Sequence, residues 1–185
     1  MVALLDPLKH MLDDIQLGVT NRSNSGRGVS QCFGFVPRRA LGVGEAMNNY
    51  RYKRLYAELK RIAGIICPGN NYTCFSVNIN YEALTHIDAH NDGSSTTVSF
   101  GDFTGGELVV GDQAISTRYN PVTFNAFNTP HSVNKCYGTR YSIVMYRHKY
   151  NSEFQRLYAG KSLAELHSIC PKANKHRPAS SIKIC

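Results

Sequence analysis

Thr73-Cys74-Phe75-Ser76-Val77-Asn78-Ile79-Asn80 opens the part of the chain that decides the fold, because from here apolar and polar residues alternate. Alternation with a period of two is the mark of a strand with unlike faces. It sets Asn78 and Asn80 on the face opposite Val77 and Ile79. Further β-like runs follow at residues 84–87, 95–100, 107–110, 114–117, 122–127 and 140–147, separated by Gly, Asn, Asp and Pro. Many short strands with such punctuation predict a closed sandwich or barrel. Within it, Asp102-Phe-Thr-Gly-Gly-Glu-Leu108 reads as a tight turn entering a strand, its glycine pair allowing positive φ.

Upstream, Leu4, Leu5, Leu8, Met11, Leu12 and Ile15 recur at helical spacing and predict a first helix with one buried stripe. Residues 18–28 are polar and glycine-rich and read as a mobile loop, and residues 29–36 read as a strand. A second helix is expected over 45–66, where Leu55, Leu59, Ile62 and Ile66 form the apolar stripe and Arg51, Lys53, Arg54, Lys60 and Arg61 crowd the rest. Downstream, Ser152-x-x-Gln155 and Ser162-x-x-Glu165 are two capping-box starts, with Gly160 as a stop and Pro171 as a terminator. The organisation predicted is one α+β domain over 1–171, mainly β, with a basic tail over 172–185.

At 185 residues the chain suits one well-cored domain, and no run approaches the roughly 20 apolar residues that would span a bilayer. No membrane partner is expected. Lys and Arg number 21 against 13 Asp and Glu, a net charge of +8 that favours a polyanionic partner. Six cysteines without a CxxC pair fit reduced thiols, and the N-terminus lacks the layout of a secretory signal. An intracellular, reducing compartment is expected, nuclear or cytoplasmic, in a cellular or virus-encoded protein.

The chemistry concentrates in Thr85-His86-Ile87-Asp88 and, far along, Pro130-His131-Ser132. On a strand, His86 and Asp88 share a face and can present an imidazole and a carboxylate to one point. His131 can close a third position from a neighbouring strand. Two His and one carboxylate with open positions is the ligand set of non-haem Fe(II) oxygenases. Arg140-Tyr141-Ser142 adds a guanidinium and a hydroxyl on one face, a suitable clamp for a terminal carboxylate. His-x-Asp, a distal His and Arg-x-Ser together are far more specific than any of them alone.

On these residues the sequence resembles the Fe(II)/2-oxoglutarate-dependent dioxygenases, over residues 73–147. The resemblance implies a double-stranded β-helix flanked by N-terminal and C-terminal helices. It implies Fe(II) held by His86, Asp88 and His131, with O2 and 2-oxoglutarate as cosubstrates, the latter gripped by Arg140 with Ser142 assisting. Asn80 is expected to be a second cosubstrate contact. His90, Asn91, Asp92 and Arg38 are candidate substrate-side residues, with plain surface as the alternative for His90. Asn-x-Asn-Tyr before His-x-Asp, Gly101-Asp-Phe-Thr-Gly-Gly-Glu-Leu108 and the Arg-Tyr-Ser ending look most like the TET/JBP group. That resemblance implies hydroxylation of the methyl group of 5-methylcytosine or thymine in nucleic acid, DNA favoured over RNA. The chain lacks the cysteine-rich zinc-binding region of the animal members. Arg22, Arg27, Arg38, Arg39 and the 51–61 helix are candidate phosphate contacts. The alternatives are a prolyl-type protein or peptide hydroxylase, an AlkB-like N-demethylase, and an inactive nucleic-acid-binding module of the same fold.

Overall fold

The alternation that opens the β region is realised as alternating rungs across adjacent strands. In the computed structural model, which describes residues 1–18, 25–38, 42–70 and 72–149, β3 (Cys74–Ala83) pairs with β9 (Cys136–Tyr146), which pairs in turn with β4 (Ser95–Gly105). Val77, Ile143 and Val98 form one rung, and Ile79, Tyr141 and Phe100 another. Between them, Asn78, Ser142 and Ser99 form a polar rung. Successive side chains point to opposite faces, so one face of the sheet is apolar and the other polar.

The apolar face is covered by α1 (Val2–Asp13) and α3 (Lys53–Ile66). Leu5, Leu8 and Leu12 of α1 and Leu55, Leu59 and Ile62 of α3 share one core with Phe33, Phe75, Val77, Val98, Phe100, Ile143 and Met145. Each is at most 2% exposed. At roughly 1.5–3 kcal/mol per buried large apolar side chain, this layer is the main source of stability and leaves the polar face to carry chemistry.

The large sheet is completed by β1 (Ser25–Arg38), β2 (Gly42–Glu45) and β7 (Val122–Phe124), in the order β2-β1-β3-β9-β4-β7. A second sheet has the order β6-β5-β8, from β5 (Leu108–Val110), β6 (Gln113–Ile115) and β8 (His131–Val133). All strand pairs within the two sheets are antiparallel. The result is a double-stranded β-helix backed by helices, as the sequence resemblance implies.

Several local expectations are corrected. The helix expected over 45–66 is two helices, α2 (Met47–Arg51) and α3, broken at Tyr52. Asn49 is buried and brackets Gly34, accepting from its N–H at 2.7 Å and donating to its carbonyl at 3.1 Å, which pins α2 to β1 and forces the change of direction. Residues 84–87 form no strand: Leu84 and Ile87 stay 61% and 48% exposed, so no burial pattern holds them in a sheet. The glycine-rich stretch is already strand from Ser25, with register shifts on either side of Arg27. β4 runs through Asp102 to Gly105, which moves the tight turn to Gly105-Gly106 (φ 72° and 70°). β2 was not foreseen, and β8 is the neighbouring strand expected to carry His131. The capping-box segments, the tail over 172–185, Cys170, Cys185, Arg22 and Arg39 lie outside the described residues. Cys32, Cys67, Cys74 and Cys136 are free thiols. No helix among the described residues is long and apolar enough to cross a membrane.

Candidate metal centre

His86 and Asp88 sit on the irregular segment after β3, and His131 begins β8. The two histidines are joined by reciprocal backbone hydrogen bonds of 2.9 Å, an isolated bridge that stitches the segment to the second sheet. The Asp88 N–H donates to the Ala126 carbonyl at 2.8 Å. These tethers bring one ligand atom each from His86, Asp88 and His131 to within 4.8 Å of one another. His86 Nε2 lies 3.6 Å from Asp88 Oδ1, and His131 Nε2 lies 4.0 Å from Asp88 Oδ2.

The far nitrogen of each ring decides what the near one can do. Nδ1 of His86 is 2.7 Å from the Leu84 carbonyl, and Nδ1 of His131 is 2.9 Å from the Thr129 carbonyl. A carbonyl only accepts, so each Nδ1 carries a proton and each ring turns its Nε2 toward Asp88. His131 is 7% exposed and stands edge-on to Phe124, with ring centroids 5.0 Å apart. Burial holds its pKa below the usual imidazole value, with the neighbouring His86 acting in the same direction. The donor set, two imidazoles and a carboxylate, fits a divalent first-row metal with further positions open.

On β9, with the parity of Ser142 and so on the polar face, Arg140 is 2% exposed and makes no ion pair among the described residues. A guanidinium nitrogen donates to Ser142 Oγ at 3.3 Å, the cation stands over Phe103 at 5.7 Å, and buried Nε has no partner. Burial works against its charge, lowering its pKa. An uncompensated buried guanidinium is costly, and a carboxylate ligand would satisfy it. Gly106 is what leaves room for it: a Cβ there would lie 2.7 Å from Arg140 Cδ and 2.9 Å from Nε. Sequence reasoning gave this glycine only a turn role; its second role depends on a contact across the sheet.

The two asparagines of β3 divide their work. Asn80 breaks the strand alternation, with φ 48°, and its Oδ1 accepts from the Arg140 backbone N–H at 2.7 Å. Its described contact is therefore to the chain that carries Arg140. Asn78 is buried and donates to Ser142 Oγ at 3.2 Å, beside the Ser99–Thr117 hydroxyl pair at 2.8 Å. Asn78 was legible from its place in the alternation but was not singled out over Asn80.

Of the candidate substrate-side residues, Asn91 is buried, and its amide donates to Asp88 Oδ2 at 3.0 Å and Ser95 Oγ at 2.9 Å. Asp92 accepts from Arg147 Nε at 2.8 Å. His90 stacks on His148 with centroids 5.7 Å apart. These placements turn Asn91, Asp92 and His90 toward the scaffold. Arg38 ends β1, away from His86, Asp88 and His131 in chain and sheet order, and its side chain is not described.

No protein-family model and no curated protein matches the sequence. Solved structures match its fold. NgTET1 in complex with 5mC DNA superposes with a TM-score of 0.56 at 15% identity, covering 80% of this chain and 68% of that one. An oxidoreductase of the 2OG-Fe(II) oxygenase family from Burkholderia pseudomallei gives 0.50 at 19% identity, covering 78% and 76%. In fold, then, this chain is similar to the 2OG-Fe(II) oxygenases, TET-type structures included.

Proposed function

We propose that this protein is an Fe(II)/2-oxoglutarate-dependent dioxygenase that hydroxylates the methyl group of a pyrimidine base, 5-methylcytosine or thymine, in nucleic acid. One observation carries the enzymatic part. One ligand atom each from His86, Asp88 and His131 lies within 4.8 Å of the others, and Arg140 is buried with no ion pair among the described residues and with its Nε unsatisfied. Either feature alone has ordinary explanations; together they match a metal and a dicarboxylate. Bound there, Fe(II) with 2-oxoglutarate and O2 would supply the oxidation of an unactivated C–H bond.

The chain's own residues hold and orient. His86 and His131 offer Nε2, fixed by the carbonyls behind them, and Asp88 offers the charge that offsets the metal's. Arg140 takes the distal carboxylate, with Ser142 held beside it by Asn78. Phe103 shields the guanidinium from water and strengthens the pairing.

The substrate rests on three supports: the TET/JBP-like motifs, the fold likeness to a structure holding 5mC DNA, and the charge of +8. The basic residues of α3 lie on the helical side of the sheet, opposite the polar face, so they suit backbone contacts remote from the reacting base. A methyl inside a duplex cannot reach the enclosed site, so the base must be flipped or single-stranded. Nucleoside mass spectrometry on 5-methylcytosine- and thymine-containing DNA, after incubation with protein, Fe(II), 2-oxoglutarate and ascorbate, tests this. A gain of one oxygen on either base is expected. Succinate formation without a modified base would overturn the DNA reading, keep the oxygenase and send the search to RNA, peptides or small molecules.

A further inference from the structure

The Asp88 carboxylate is the least enclosed of the three ligands, with its side chain 33% exposed against 20% for His86 and 8% for His131. Free rotation about its side-chain bonds would let water take it from the site. One side-chain contact opposes that, and it comes from Asn91, whose backbone is fixed to the same turn. Its backbone N–H donates to the Asp88 carbonyl at 2.8 Å, and its amide donates to Asp88 Oδ2 at 3.0 Å. The second amide hydrogen goes to Ser95 Oγ at 2.9 Å, and Ser95 is fully buried at the start of β4. Asn91 is 7% exposed, so it is anchored in the scaffold rather than presented to a ligand. Its segment is further fixed to the chain after β9: Asp92 N–H donates to the Arg147 carbonyl at 2.7 Å, and Lys149 N–H to the His90 carbonyl at 2.9 Å.

We infer that Asn91 is the positioning residue for the metal carboxylate. Tied to β4 through Ser95, it sets the rotamer of Asp88 so that both oxygens face the histidines before metal arrives. An amide suits this task better than a charged donor. It holds Oδ2 without neutralising the carboxylate, and it leaves the negative charge available to the metal. Ser95 serves as the fixed point, because a hydroxyl on a fully buried strand end moves little.

This inference rests on the metal-centre reading. Mn(II) titrated into the 185-residue chain tests both, followed by electron paramagnetic resonance of free Mn(II), with thermal unfolding measured alongside. Outer-shell partners of metal ligands are typically worth about 10–100-fold in metal affinity. Asn91→Ala and the isosteric Asn91→Asp, which removes the donor without removing volume, are both expected to weaken Mn(II) binding by about that factor. Ser95→Ala is expected to weaken it less. Thermal unfolding of each variant distinguishes positioning from plain destabilisation, since only the former leaves a folded protein with weakened affinity. If Asn91→Asp and Ser95→Ala fold and bind Mn(II) within about twofold of wild type, the positioning role is overturned even should Asn91→Ala fail to fold. If wild type binds no Mn(II) that Asp88→Ala abolishes, the metal-centre reading itself fails.

Discussion

Arg140 shows how a single residue can be legible in type and illegible in state. Its place two residues before Ser142 marked it as a clamp from the sequence, but its missing counter-ion is a property of the folded molecule. Arg140→Ala is expected to raise the 2-oxoglutarate requirement roughly ten- to hundredfold, the equivalent of a lost charge-assisted contact of about 1.5–3 kcal/mol, and to leave metal affinity nearly unchanged. Titrating each ligand separately checks this, and equal losses for both would contradict it. Gly106→Ala tests the space beside the guanidinium. A non-glycine residue at φ 70° costs about 1–2 kcal/mol, and the new methyl must displace Arg140. Weaker 2-oxoglutarate binding is expected beyond any change in melting temperature; unaltered binding would show that the arginine accommodates the methyl. The His-x-Asp spacing was readable, although by a reason that did not hold. The two side chains converge through backbone tethers to His131 and Ala126 in an irregular segment, not by sharing a strand face.

Among elements, the strands whose two faces differ most were the most legible. β3 and β9 were placed from their alternation, because one face meets α1 and α3 and the other meets polar groups. Short β8 and β2 carry too few residues for a period to show. The division of α2 from α3 depends on Asn49 reaching Gly34, a contact no helical periodicity contains. The junction of α1 with β9 makes a testable case. Tyr141 donates to Asp13 Oδ1 at 2.6 Å, and Lys9 donates to Oδ2 at 2.6 Å. These bonds hold the Asp13 carboxyl below its usual pKa, while burial first and then Asp13 push Tyr141 up to about 12. Because the folded pKa of Asp13 is depressed, its contribution is present above the unfolded value near 3.9 and is lost as pH falls through the folded one. Tyr141→Phe is therefore expected to cost about 1 kcal/mol at neutral pH in urea unfolding, with the gap closing below pH of about 4. A gap that persisted in acid would place the loss in packing.

At the scale of the whole molecule, the fold puts helices and apolar rungs on one side of the large sheet and polar rungs on the other. The division also predicts acid sensitivity. His148 is 4% exposed, and burial first, then His90, brings its pKa from 6.5 down to about 4. Below about pH 6.5 the unfolded chain takes up this proton before the folded one, so stability declines as pH falls toward 4. His148→Gln should flatten that decline between pH 7 and 5 in urea unfolding, and an unchanged slope would assign the acid sensitivity elsewhere. The central claim is that His86, Asp88, His131 and Arg140 together form one Fe(II) and 2-oxoglutarate site. Its most direct test is anaerobic titration of 2-oxoglutarate into the Fe(II)-loaded protein, read by the visible absorption that a 2-oxo acid chelated to Fe(II) produces. Saturable absorption is predicted in wild type, absent in Asp88→Ala and shifted to higher 2-oxoglutarate in Arg140→Ala. No absorption in a folded wild-type protein, or the same titration in all three, would contradict it.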